Sequence, residues 1–146
     1  MKNETTSNGI NRSIKVTQRN IDNFNLQSHL VSLLWDEPFY SRILRSLNKV
    51  ETEEIPTAGV LSKDGDITMW WNRKFLASLS NKCVKGLIKH ECLHLVFKHT
   101  SDRRKTPHLI WNYATDLAIN SIIPYDELPK GGLVPGYPLA PLTSED

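Results

Sequence analysis

The sequence predicts a mixed α+β domain, with helices packed against a short β-hairpin or small sheet that lies beside one central helix. Three observations carry this. Apolar residues recur at three- and four-residue steps over Asp22–Asn48, over Lys82–His99 and from Pro107 to about Ile122, which is the helical period. Between the first two stretches the period changes. Two short β-type runs, Thr57–Leu61 and Ile67–Trp71, flank an Asp64-Gly65 pair, the dipeptide that suits a tight hairpin turn. The third observation is the run His90-Glu91-Cys92-Leu93-His94 inside the second helical stretch, which makes that helix the centre of interest.

In chain order, residues 1–20 are polar and rich in Asn, Thr and Ser, and read as a mobile tail. Residues 21–146 read as one domain, a size that a single core can serve. Leu26, Leu30, Leu33, Leu34, Ile43, Leu44 and Leu47 give an amphipathic helix, or two broken at Pro38. Trp35, Phe39 and Tyr40 read as packing. Trp70 and Trp71 point to opposite faces of their strand, one for the core and the other for solvent. The hairpin strand nearest a cleft could pair with an extended peptide; a hairpin that only covers the helices is the other reading. A short helical piece follows within Asn72–Ser80, and Ser80 or Asn81 can cap the central helix. Val84, Leu87, Ile88, Leu95 and Val96 supply that helix with apolar faces. On the next helix Ile110, Ala114, Leu117 and Ala118 form a packing stripe, with Asp116 and Asn120 beside it. Beyond Pro124 the Pro- and Gly-rich segment reads as irregular chain docked on the body.

Composition excludes several classes. Eighteen basic against sixteen acidic residues leave a net charge of +2, too little to argue for nucleic acid or a membrane surface. Arg103, Arg104 and Lys105 read as a solvated loop. The first twenty residues lack the apolar run of a signal peptide, and no stretch is apolar enough to span a bilayer. Cys83 and Cys92 fall roughly 13 Å apart on one helix, too far for a disulfide. They read as buried free thiols, which suits a reducing, cytoplasmic setting.

Chemistry concentrates on the central helix. Residues four apart share a face, so His90 and His94 can aim two imidazoles at one point, with Glu91 at the edge of that face. Two neutral nitrogen ligands suit Zn2+, and a neighbouring carboxylate can act as general base. A catalytic zinc site takes three protein ligands. Asp116, twenty-two positions beyond His94 on the following helix, is the best candidate for the third. His99 is the rival, but it lies about 140° round the helix from His94 and would serve only if the helix ended first. Asn120, one turn past Asp116, could bond the outer nitrogen of a ligand histidine. His29 and His108 read as surface residues.

The pairing of HECLHLVFKH with WNYATDLAIN resembles the metallopeptidase domain often joined to a von Willebrand factor A-like half. It is similar more broadly to the gluzincins, and especially to the minigluzincins. The run TAGVLSKDGDITMWWNRKF fits the same pattern before the motif, and the likeness covers roughly residues 25–140. The resemblance implies a small zincin-like fold, with His90, His94 and Asp116 as metal ligands, Glu91 as general base and Asn120 as the orienting residue. Gluzincins proper use Glu as third ligand. Asp is one methylene shorter, so the two helices must approach more closely. The 146 residues contain no von Willebrand-like half.

The implied activity is zinc-dependent hydrolysis of peptide bonds in a peptide or protein substrate. It needs a donor for the developing oxyanion, and Tyr113, Tyr137 and His99 are the candidates. Two alternatives stay open. One is a zinc-binding regulatory or interaction module of weak or no activity, working with a von Willebrand factor A-like protein or an ATPase. The other is a peptidase precursor held off by its own terminal segments or by forming a homodimer, as the likeness to minigluzincins suggests.

Overall fold

The computed structural model describes residues 14–97 and 108–130. Their order is α1 (Gln18–Asn23), α2 (Leu26–Asp36), α3 (Pro38–Arg45), β1 (Asn48–Glu51), β2 (Ala58–Lys63), β3 (Asp66–Trp71), α4 (Arg73–Ala77), α5 (Asn81–Val96) and α6 (His108–Asn120). A 3-10 turn at Tyr125–Glu127 follows. The class is mixed α+β, with six helices and one three-stranded sheet among the described residues.

The sheet order is β1-β3-β2. β2 and β3 pair antiparallel through the expected hairpin, with Ala58 opposite Trp71 and Lys63 opposite Asp66. Asp64 and Gly65 hold φ of 52° and 83°, the left-handed pair that a two-residue hairpin turn demands. β1 is a correction to the sequence reading, which carried the first helix on to Asn48. Here the helix ends at Arg45, and Asn48–Glu51 pair parallel to Thr68–Trp71. A four-residue, fully exposed strand carries no apolar alternation by which to find it.

β2 is an edge strand. The Thr57 carbonyl accepts from Asn72 N–H at 2.8 Å, and the Trp71 carbonyl turns the other way, to Thr52 N–H at 2.9 Å. Antiparallel alternation then directs the backbone groups of Thr57, Gly59 and Leu61 to β3. Those of Ala58 and Val60 point to the open edge.

Most of the core gathers Leu26, Leu33, Leu44, Leu47, Met69, Trp71 and Leu76 around Cys83, Val84, Ile88 and Cys92 of α5. A smaller cluster joins Leu93 of α5 to Ile119, Ile123 and Leu128. Ser80 caps α5, its hydroxyl accepting from Cys83 N–H at 3.3 Å. The break between α2 and α3 falls at Glu37-Pro38, where proline starts the new helix.

Several packing expectations change. Trp35 is 81% exposed and Phe39 60% exposed, outside the core; Trp35 lies about 200° round α2 from the buried Leu33. Trp71 is core as expected, but Trp70 is half-buried rather than solvent-facing. His29 is half-buried too, stacked on Phe24 with ring centroids 5.2 Å apart. Val96 is exposed. On α6 the inward face is Thr115, Ile119 and Asn120, whereas Ile110, Ala114 and Ala118 of the expected stripe are exposed. The helix turns its polar residues inward because α5 presents imidazoles there. Within the stretch read as a tail, Ile14 N–H bonds the Ser78 carbonyl at 2.9 Å and α1 begins at Gln18. Among the described residues no helix is long and apolar enough to cross a membrane.

Candidate metal centre

α5 lies across the core, and the side chains on either side of His90 diverge by about 100° each way. Glu91 goes toward the cleft beside β2, and Lys89 goes to the opposite flank. His90 and His94 project between them and meet α6. Their Nε2 atoms are 3.0 Å apart, and Asp116 Oδ1 lies 3.2 Å from each. Among the described residues these three side chains form a group of potential ligands, with all the donor atoms within 4.8 Å of one another.

The triangle suits a small cation. Ligand bonds of about 2.0–2.1 Å at tetrahedral angles put donor atoms about 3.3 Å apart, close to the spacing found. Two imidazole nitrogens and a carboxylate oxygen crowded together repel through their lone pairs unless a proton or a metal ion lies among them. Asn120, buried one turn beyond Asp116, sets the tautomer. Its Oδ1 is 2.8 Å from His90 Nδ1, so Nδ1–H donates to the amide oxygen and Nε2 is left to bind. Asp116 itself is partly open to solvent on the cleft side.

The electrostatics follow. Burial alone would raise the Asp116 pKa, but hydrogen bonds from the two histidine rings outweigh it and hold the carboxyl well below the usual range. Burial would lower the His90 pKa, and the Asp116 hydrogen bond, helped by the charge of Glu91, reverses this and raises it. Glu91 is buried, and desolvation raises its pKa against the opposing pull of His90 and His94. Cys92 stays out of the chemistry: burial first, then the charge of Glu91, pushes its thiol up to about 12.

The site opens into a cleft of about 670 Å³. One wall is Thr57–Val60, the edge of the sheet; Phe75 and Leu87 add apolar surface beside it; Trp111, Asn112 and Tyr113 of α6 form the facing wall, with Pro129 and Lys130 at the rim. Asn72 fixes the approach to the edge strand, donating from Nδ2 to the Ile55 carbonyl at 2.9 Å.

Of the residues singled out from sequence, His90, Glu91, His94, Asp116, Asn120 and Tyr113 all line this cleft. His99 and Tyr137 lie outside the described residues, as do Arg103–Lys105 and the His108 side chain. The sequence reading missed Lys89, only 2% exposed and paired with Glu37 at 2.8 Å and with Glu127. It also missed Gly86, where a Cβ would come within 1.9 Å of the Glu127 carbonyl oxygen. The one available signal for Lys89 is a cation that follows Ile88 and shares a helix face with Cys92 and Leu93. Nothing local ties it to a carboxylate thirty-eight positions away.

Comparison with known proteins adds a relative and a family. An uncharacterized protein of Thermotoga maritima is 28% identical over 102 residues, covering 68% of this chain and 26% of the relative. The chain thus spans about a quarter of that relative's length. No solved structure matches it. The sequence profile of a family described as "Putative metallopeptidase domain" matches residues 24–136, most of the chain, and the chain belongs to that family.

Proposed function

We propose that the chain is a zinc-dependent metallopeptidase with a zincin-like, minigluzincin-type arrangement. The observation that carries this is the convergence of His90, His94 and Asp116 within 3.2 Å, with Glu91 lining the same cleft. His90, His94 and Asp116 would hold the metal, and Asn120 would orient His90. Zinc, when bound there, supplies a Lewis acid that polarises a carbonyl and lowers the pKa of water. Glu91, with a pKa raised by burial, accepts the proton of the attacking water and passes it to the leaving amine. Tyr113, which lines the same cleft, would donate to the carbonyl oxygen as it becomes anionic. The outward backbone groups of Ala58 and Val60 suit an extended peptide laid along β2, and Val60, Phe75 and Leu87 offer an apolar seat for one of its side chains. Buried free thiols at Cys83 and Cys92 accord with a reducing, cytoplasmic setting.

A metal-binding interaction module is the second reading, favoured by the exposed Trp35, Phe39 and Ile110, which offer apolar surface to a partner such as a von Willebrand factor A-like protein or an ATPase. A peptide-library digest separates the two. The peptidase reading expects zinc-dependent cleavage that falls about 10²- to 10⁴-fold in Glu91→Gln while zinc content stays. Equal activity in the variant, or none in the parent protein loaded with zinc, overturns it in favour of the module.

A further inference from the structure

The two helices that meet at the proposed metal centre are also joined through the chain that follows α6. Among the described residues, a buried apolar cluster joins Leu93 of α5 to Ile119 of α6 and to Ile123 and Leu128 beyond it. The 3-10 turn that begins five residues after α6 is fastened to α5 more closely. The Glu127 carbonyl sits over Gly86 with no room for a Cβ. The Glu127 carboxylate pairs with Lys89, whose ammonium also reaches Glu37 at 2.8 Å, at the junction of α2 and α3. Lys82 bonds Asp126 at 2.8 Å, and the Cys83 thiol donates to the Leu128 carbonyl at 3.5 Å. A lysine 2% exposed is held by two carboxylates from separate segments, one position before a ligand histidine. That is a costly arrangement to bury, and leaving any member unpaired is costlier still.

We propose that Lys89 is a positioning residue. Through Glu127 it clamps the chain that leaves α6, and so keeps Asp116 and Asn120 in register with His90 and His94 without touching the metal. Glu37 anchors the same ammonium to the body of the domain. This rests on the reading of His90, His94 and Asp116 as a metal centre. The two arms of the bridge differ in what they predict. Glu127 belongs to the segment continuous with α6, whereas Glu37 does not, so loss of Glu127 should loosen the ligand geometry more than loss of Glu37.

The test measures zinc affinity by chelator competition, the visible absorption of the cobalt-loaded protein, and the melting temperature of the metal-free protein. It compares Lys89→Met, Glu127→Gln and Glu37→Gln. The clamp predicts zinc binding weakened at least tenfold in Lys89→Met and Glu127→Gln with an altered cobalt spectrum, and a smaller loss in Glu37→Gln. It also predicts that Lys89→Met combined with Glu127→Gln loses no more than the worse single variant, because the two act through one contact. If Lys89→Met does not fold, the contrast between Glu127→Gln and Glu37→Gln decides alone. Zinc affinity and cobalt spectrum within twofold of the parent in Glu127→Gln, or equal losses in the two glutamate variants, overturn the clamp. A parent protein that takes up no zinc overturns the metal reading itself, and the clamp with it.

Discussion

α5 and α6 contribute to one site from opposite structural circumstances. α5 runs through the middle of the molecule, capped by Ser80 and buried at Cys83, Val84, Ile88, Cys92 and Leu93. α6 buries Thr115, Ile119 and Asn120, whereas Leu109 and Ile110 near its start are 41% and 64% exposed. The pair of histidines is therefore fixed by the core, and the carboxylate is brought to them by a helix anchored at its C-terminal end. The difference shows how a small domain builds a centre. A buried element sets the point where the candidate ligands meet, and a less embedded one completes it and forms a wall of the cleft.

Removing ligands tests this division most severely. His94→Ala should abolish stoichiometric zinc uptake while the fold persists, since His94 lies at the cleft rather than in the core. Asp116→Ala should do likewise, and metal analysis of both proteins checks it. Zinc retained at the parent level in either would remove that residue from the ligand set. The next effect separates the faces of α6. Ile119→Ala, at a fully buried position, should lower stability by about 2–5 kcal/mol. Ile110→Ser should stay within about 0.5 kcal/mol. Denaturant melts of the two variants are the measurement, and equal losses would mean that the exposed half of α6 is packed after all. Asn120→Ala should weaken zinc binding by about 10- to 100-fold through loss of the His90 tautomer lock. The smallest effect is that of pH. Burial opposes protonation of His90, but the Asp116 hydrogen bond wins and its pKa is raised. Protons therefore compete with the metal from a higher pH than at an ordinary histidine. Zinc affinity should fall as pH drops through that pKa, by about tenfold per unit for each proton displaced. A pH series of dissociation constants that stays flat would contradict a ligand imidazole at His90 that donates to the Asp116 carboxylate.

Much of this was readable from spacing. His90 and His94 share a face by helical geometry, Asp64-Gly65 announces its turn, and Pro38 divides the first helical stretch where the chain does divide. Asp116 and Asn120, one turn apart, can serve one neighbour, and the structure brings Asp116 to both rings and Asn120 to that of His90. What spacing could not supply was direction. The apolar positions of α6 looked like its inner face, but that side is outermost because the partner surface is polar. β1 has no period to detect, and Lys89 with Glu127 is a contact between distant segments that leaves no local trace. The family likeness implied the roles of the ligands; the edge strand and the clamp became visible only with the chain folded.

The most direct test of the central claim is a crystal structure of the zinc-loaded protein with anomalous data at the zinc absorption edge. One strong anomalous peak is expected in the triangle of His90 Nε2, His94 Nε2 and the Asp116 carboxylate, within about 2.0–2.2 Å of each. A peak lodged elsewhere, or one ligated by the histidines with Asp116 turned away, would contradict it.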